Sequence, residues 1–274
     1  MVSFEYFNDA CKHLLVDSTS ISSTANTEFV VIGGWCPLLR NDSGHTKIKH
    51  PGTRDVDLLF SGVDAKGTLG PVVQAFLDHG YLLSAKHDFQ LVKLIEVGGR
   101  QLAFHIDLLH PAENQVDPNN MFADQLDLGI QFDNESIETK KTKSIACPSS
   151  KFIFEEKLYD SYSLKIGSEN HSFPLINSAG LVITKSASCQ SPKRPRDAFD
   201  IFVSLVQKDS SQVTADLQKC ARRKGNGLKE RLSDLRNYVN NDTLNFDNNV
   251  HLFAEEQNPK ASELVIQRLD EALK

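Results

Sequence analysis

Three aspartates carry the chemistry that this chain could do: Asp55 and Asp57 in "TRDVDLL", and Asp107 in "FHIDLL". A D-x-D inside an alternating apolar run reads as a strand, and positions i and i+2 of a strand project from one face. Asp107 lies in a second such run, with Phe104, Ile106 and Leu108 facing one way and His105 and Asp107 the other. If the two strands are neighbours, three carboxylates converge. Three unit charges at ~4 Å separations repel by roughly 4 kcal/mol per pair at an effective dielectric near 20, or about 12 kcal/mol together. Stability alone does not ask for that arrangement. Hard divalent cations with oxygen ligands offset it, and two-metal sites serve phosphoryl displacement. Taken singly, a strand D-x-D and a lone Asp are ordinary surface carboxylates, so the reading rests on what accompanies them.

What accompanies them is a corner. In "VVIGGWCPLLR" a β-branched run climbs into Gly33 and Gly34, and a helical stretch opens with Pro37 in its first turn, where a missing N–H costs least. Paired glycines at such a place either make a tight turn or let a phosphate approach the backbone. The order is strand–Gly-Gly–helix, then D-x-D, then a single Asp on a later strand.

The remaining elements follow from periodicity. Residues 1–17 read as an amphipathic helix with Phe4, Phe7, Cys11, Leu14 and Leu15 on one side. Glu28 to Ile32 reads as a central strand, and Leu69 to His79 as a helix closed by Gly80. "FQLVKLIEV" and "RQLAFHIDLLH" form a hairpin about Gly98-Gly99. Pro111 to Cys147 mixes turn residues with short strands. "SFPLI", 172–176, reads as a last edge strand, after which Ser178 caps a helix and the texture becomes helical, broken at "GNG" and "NNDTLNFDNN". The expected architecture is a mixed α/β domain of the α+β kind over 1–176, followed by a helical domain over 177–274.

At "GGW", "TRDVDLL" and "FHIDLL" the chain resembles the nucleotidyltransferase superfamily that shares the DNA polymerase beta fold. His50 or Lys49 stands where that family carries an Arg. A second stretch, "SAGLVITKSASCQSPKRPRDAFDIFVSL", resembles the helical portion of AbiEii-type toxin nucleotidyltransferases. Ser178, Leu181, Lys185, Arg196, Asp197 and Asp200 fall on its S-x-x-L-x-x-x-K…R-D-x-x-D pattern. The resemblance spans about residues 29–205. It implies a polymerase-beta-like mixed sheet and transfer of a nucleoside monophosphate from an NTP to a hydroxyl. Asp55, Asp57 and Asp107 would hold two Mg2+ ions, which Mn2+ could replace. Gly33, Gly34, Thr53 and Lys185 would hold the nucleotide. It also implies an RNA acceptor, such as the 3′ end of a tRNA, and a neutralising antitoxin protein as partner. The alternatives are an antibiotic-type transferase acting on a small-molecule hydroxyl, and a catalytically silent nucleotide- or RNA-binding module.

Composition narrows the field. The 274 residues are 40% hydrophobic and 24% charged, with net charge -6, so polyanion binding has to come from a local patch. One exists: Lys219, Arg222, Arg223, Lys224, Lys229, Arg231 and Arg236 face only Glu230 and Asp234 in the same stretch. Arg222, Arg223 and Lys224 are the candidate acceptor-binding residues, against the plainer reading of a solvated helix. The five cysteines lack any C-x-x-C pair and read as reduced thiols of a cytoplasmic protein. No apolar run nears the roughly 18 residues of a membrane span. "GVDAKGTLG" resembles a phosphate-binding Walker loop, but Lys66 precedes Gly67, which breaks the required order. G-x-G-x-x-G and G-x-S-x-G are absent, and His105 and His110 read as rim and core histidines.

Overall fold

The structure is a computed structural model describing residues 3–25, 27–40, 48–112, 121–126, 131–132, 135–136, 140–147, 150–206, 210–223, 227–254 and 260–274. Its elements run β1 (Ser3–Phe4), α1 (Phe7–Thr24), β2 (Phe29–Ile32), α2 (Trp35–Arg40), β3 (Val56–Phe60), α3 (Leu69–Asp78), β4 (Leu82–Leu83), β5 (Gln90–Val97) and β6 (Arg100–Pro111). There follow β7 (Met121–Leu126), β8 (Gln131–Phe132), β9 (Glu135–Ser136), β10 (Lys140–Cys147), α4 (Lys151–Glu155), β11 (Tyr159–Ile166) and β12 (Glu169–Ile176). The helices α5 (Ser178–Ser188), α6 (Pro195–Val206), α7 (Ser210–Arg222), α8 (Leu228–Asn241), α9 (Thr243–His251) and α10 (Ala261–Ala272) complete it. The chain divides into two compact units. The first comprises Met1–Ile32, Thr53–Lys151 and Asp160–Leu175; the second comprises Gly33–Gly52, Phe152–Tyr159 and Ile176–Lys274.

The first unit is built on a mixed sheet of order β1-β5-β6-β3-β2-β12-β11, with β10 pairing β6 and β7. All four residues of β2 are buried, as a strand apolar on both faces demands. Gly98 (φ 55°) and Gly99 (φ 74°) both take the left-handed conformation that a two-residue hairpin turn needs. That turn fixes the β5–β6 register from Val97↔Arg100 back to Gln90↔Asp107. The Walker-like loop has a structural explanation. Asp124 of β7, 6% exposed, accepts hydrogen bonds from the amides of Gly67 and Leu69 at 3.1 Å and of Gly70 at 3.2 Å. A carboxylate of the chain itself fills the place where such a loop would hold phosphate.

Several sequence expectations shift. Phe4 pairs in β1 with Val97 instead of extending the first helix. The 172–176 strand lies between β2 and β11, so it is interior and not an edge. Its Pro174 is tolerated because the β2–β12 ladder is brief, with Leu175↔Val31 its register pair. Asn177, not Ser178, caps α5, its side chain accepting from the Gly180 amide at 2.8 Å. "NNDTLNFDNN" is largely the helix α9. Its Asn and Asp side chains favour turns, but Phe246 and Val250, four apart, are both fully buried and anchor one face.

The second unit buries one apolar core contributed by α5 to α10, including Phe199, Phe202, Leu217, Leu232, Val265 and Leu269. Gly180 lets α5 start there: a Cβ would meet Ile176 Cγ1 at 2.8 Å and the Leu158 carbonyl oxygen at 2.9 Å. Gly180→Ala gains up to about 1 kcal/mol of helix propensity but overpacks a backbone contact, which costs roughly 1–3 kcal/mol. Urea unfolding is expected to show net destabilisation. An unchanged or raised midpoint would mean that α5 can move away from Leu158.

Candidate functional site

β3 and β6 run parallel, with Val56↔Ile106, Asp57↔Asp107 and Leu58↔Leu108 in register. Val56, Leu58, Phe60, Phe104, Ile106 and Leu108 are fully buried, so the alternation turns Asp57 and Asp107 together to the opposite face. Neighbouring strands lie about 4.8 Å apart, which sets two carboxylates within reach of one ion. Asp55 stands just before β3 with the same parity, its side chain 51% exposed. The three sequence-predicted aspartates therefore share one face. Asp57 is also the register partner of Ile32, after which the chain enters Gly33. Residues Gln90, Asp107, Asp57 and Ile32 form one row across four strands.

The neighbours of the carboxylates are polar. Gln90 Nε2 donates to Asp107 Oδ1 at 2.8 Å. His105 Nδ1 lies 3.3 Å from Asp55 Oδ1 and 3.3 Å from an Arg54 guanidinium nitrogen. One ring nitrogen cannot donate to Asp55 and accept from Arg54 at once, so the tautomer selects the partner. Burial, above all, pushes the Asp107 carboxyl above the usual carboxylate range; the Gln90 amide opposes this and the Asp55 charge adds to it. Gln90 and Arg54 are the residues that sequence reasoning passed over; His105, already read as a rim histidine on the Asp107 face, is found beside Asp55. Counting back from the Gly98-Gly99 turn would have found Gln90.

Among the described residues no three His, Cys, Asp or Glu side chains already close around a metal position. The donor set nonetheless fits a hard divalent cation. The ligands on offer are carboxylate oxygens, two stand on register-paired positions, and a carboxyl raised chiefly by burial, with a like charge adding to it, gains from a nearby cation.

The other predicted residues are distributed as follows. Gly33 takes φ 72°, the left-handed conformation for which glycine suits this corner, and Gly34 carries the chain into α2. Thr53 is half-buried. Lys185 lies in the second unit, 14% exposed, with its ammonium 2.5 Å from Asp197 Oδ1 and 2.8 Å from Asp200 Oδ2. Arg196 Nε is 3.7 Å from Asp200 Oδ1, and His50 Nε2 is 3.3 Å from the same oxygen. The residues of the K…R-D-x-x-D pattern thus meet in one charged cluster. The Gly52 amide donates to His50 Nδ1 at 3.1 Å, which leaves the proton on Nε2 to face Asp200. Arg222 ends α7 and Arg223 follows it, whereas Lys224 lies outside the described residues.

Burial alone would raise the Asp200 carboxyl, but Lys185, His50 and Arg196 outweigh it and hold it down at about 2. Burial would lower the Lys185 ammonium, and its two carboxylates instead raise it. For His50 burial prevails and lowers it. The signs agree for the two groups that titrate on the acid side. Each is harder to protonate in the folded chain, so stability is present at neutral pH and declines as pH falls. The decline begins below about 6.5 for His50 and below about 3.9 for Asp200. Thermal melts are expected to fall between about pH 7 and 5, and to fall less steeply in His50→Gln. Lys185→Met should cost about 3–5 kcal/mol, since it strands two buried carboxylates. A fully stable Lys185→Met would remove the cluster from the account of this unit.

The chain matches no family model and no curated protein. Among solved structures it is similar to an antigenic nucleotidyltransferase-like protein from Paracoccidioides brasiliensis. That similarity has 11% identity over 87% of this chain and 92% of that one, at a TM-score of 0.39, too distant to fix fold or activity.

Proposed function

We propose that the chain is a metal-dependent nucleotidyltransferase that moves a nucleoside monophosphate from an NTP to a hydroxyl acceptor. One observation carries the reading: Asp57 and Asp107 are register partners on adjacent parallel strands, with Asp55 on the same face. Asp55, Asp57 and Asp107 would hold Mg2+, or Mn2+ in its place. Bound there, the cation supplies charge stabilisation at the transferring phosphate and lowers the pKa of the attacking hydroxyl.

The chain's own residues supply the rest. The acceptor oxygen attacks the α-phosphorus, the bond to the β-phosphate oxygen breaks, and pyrophosphate leaves. Asp107 would take the hydroxyl proton as general base. Gln90 fixes which Asp107 oxygen faces away from its amide. Gly33 and Gly34 would offer backbone to the phosphates, with Thr53 assisting. Lys185 enters as the neutraliser of Asp197 and Asp200, and direct contact with the nucleotide would cost it one of those partners. The acceptor in this reading is an RNA hydroxyl.

The test incubates the protein with each labelled NTP and Mg2+, against total RNA or a panel of small hydroxyl compounds. Wild type is expected to label RNA, and Asp57→Asn to lose at least about 10²-fold in rate, the loss typical of one preorganised electrostatic group. Because Asp57→Asn removes a repelling charge, it should melt no lower than wild type without Mg2+. Near-wild-type turnover by Asp57→Asn would sink the assignment. Label on a small hydroxyl compound alone would move the acceptor to the antibiotic type. Equal nucleotide binding with and without Mg2+, and no transfer, would leave a silent binding module.

A further inference from the structure

The strongest charge reversal in the chain coincides with a cavity. The ends of α7, α8 and α10 enclose a pocket of ≈ 430 Å³ whose lining includes Arg222, Arg223, Lys229, Lys274 and Glu230. That volume falls in the range of small-ligand sites. The seven basic residues of 219–236 do not form one track. Arg236 is committed to Asp270 at 3.0 Å, and Arg223 to Glu156, whose side chain is 5% exposed. Among the described residues, Arg222 and Lys229 have no ion-pair partner, and both are exposed. Arg222 and Lys229 together outweigh Glu230 in the lining.

Helix electrostatics account for only part of this. Arg222, in the last turn of α7, complements the negative end of that helix. Lys229, in the first turn of α8, opposes the positive end of its own. Lys229 therefore stands there against the local preference, on the wall of the cavity it lines. The pocket is also not wholly polar, since Ala221, Ala272 and Leu273 give it an apolar side. A ligand with an anionic group and a compact apolar or ring portion matches both.

We propose that this pocket binds a phosphate group carried on a ligand of about nucleotide size, with Arg222 and Lys229 as its direct contacts. A free phosphorylated compound and the phosphate of a nucleic-acid strand present the same chemistry. The site shares no residue with the carboxylate face and does not rest on the transfer reading, because its binding needs neither Mg2+ nor turnover.

Calorimetric titrations of the full chain in EDTA test it with four probes. These are pyrophosphate, a nucleoside 5′-monophosphate, and a short single-stranded oligoribonucleotide with and without a 5′-phosphate. At least one phosphate-bearing probe should bind. Arg222→Ala/Lys229→Ala should weaken it about ten- to a hundredfold for each charge-assisted hydrogen bond removed, while Glu230→Gln tightens it. Both cations are exposed, so circular dichroism and melting should not change. Preference for the monophosphate points to a free compound. Preference for the oligonucleotide, with a log–log salt slope of about −0.7 per phosphate, points to a strand. Absence of binding by every probe, or equal binding by wild type and the double variant, would overturn the proposal.

Discussion

The parallel register of β3 and β6 sets Asp57 beside Asp107, and the account of the first unit depends on it. A strand side chain alternates faces with period two, so a slip of one residue would bury both carboxylates and expose the aliphatic partners. The fully buried Val56, Leu58, Ile106 and Leu108 forbid that slip. Hydrophobic burial on one face thereby enforces an electrostatic cost on the other. Gln90 donates to Asp107, and Arg54 and His105 lie beside Asp55; Arg54 is about half exposed, where screening weakens an ion pair.

The second unit handles charge in the opposite way. Its buried carboxylates, Asp197 and Asp200, are met by Lys185 and Arg196 and by the neutral His50. There the chain supplies its own counter-ions, and Asp200 stays ionised to about pH 2. On the carboxylate face the chain holds Asp107 above its ordinary range instead. The first charge cluster belongs to a packed core, whereas the second lines a face on which Asp55 is about half exposed. That difference separates a structural cluster from a candidate site more sharply than motif spacing does.

Much of the carboxylate face was legible in the sequence, because strand parity and a two-residue glycine turn are local rules. Asp55, Asp57 and Asp107 share a face as the alternation required, and β2 is interior as its apolar run required. Gln90 was hidden because its role appears only when the hairpin register is counted across the turn. The Asn177 cap was displaced by one residue, since Asn and Ser are both good caps and only geometry chooses. α9 was hidden because two buried side chains outweigh a turn-like composition. The commitment of Lys185 to Asp197 and Asp200 was illegible for a different reason: sequence spacing names a cation but not its partners.

Manganese binding at Asp57 and Asp107 can be measured with neither a nucleotide nor an acceptor. Electron paramagnetic resonance of Mn2+ titrated into the wild-type chain should report bound ion, displaced by excess Mg2+. In Asp107→Asn, with an unchanged fold by circular dichroism, the affinity should fall at least about tenfold. Wild type that leaves Mn2+ free at millimolar concentration, or an Asp107→Asn variant that binds it as tightly, would contradict the reading of this face as a cation site.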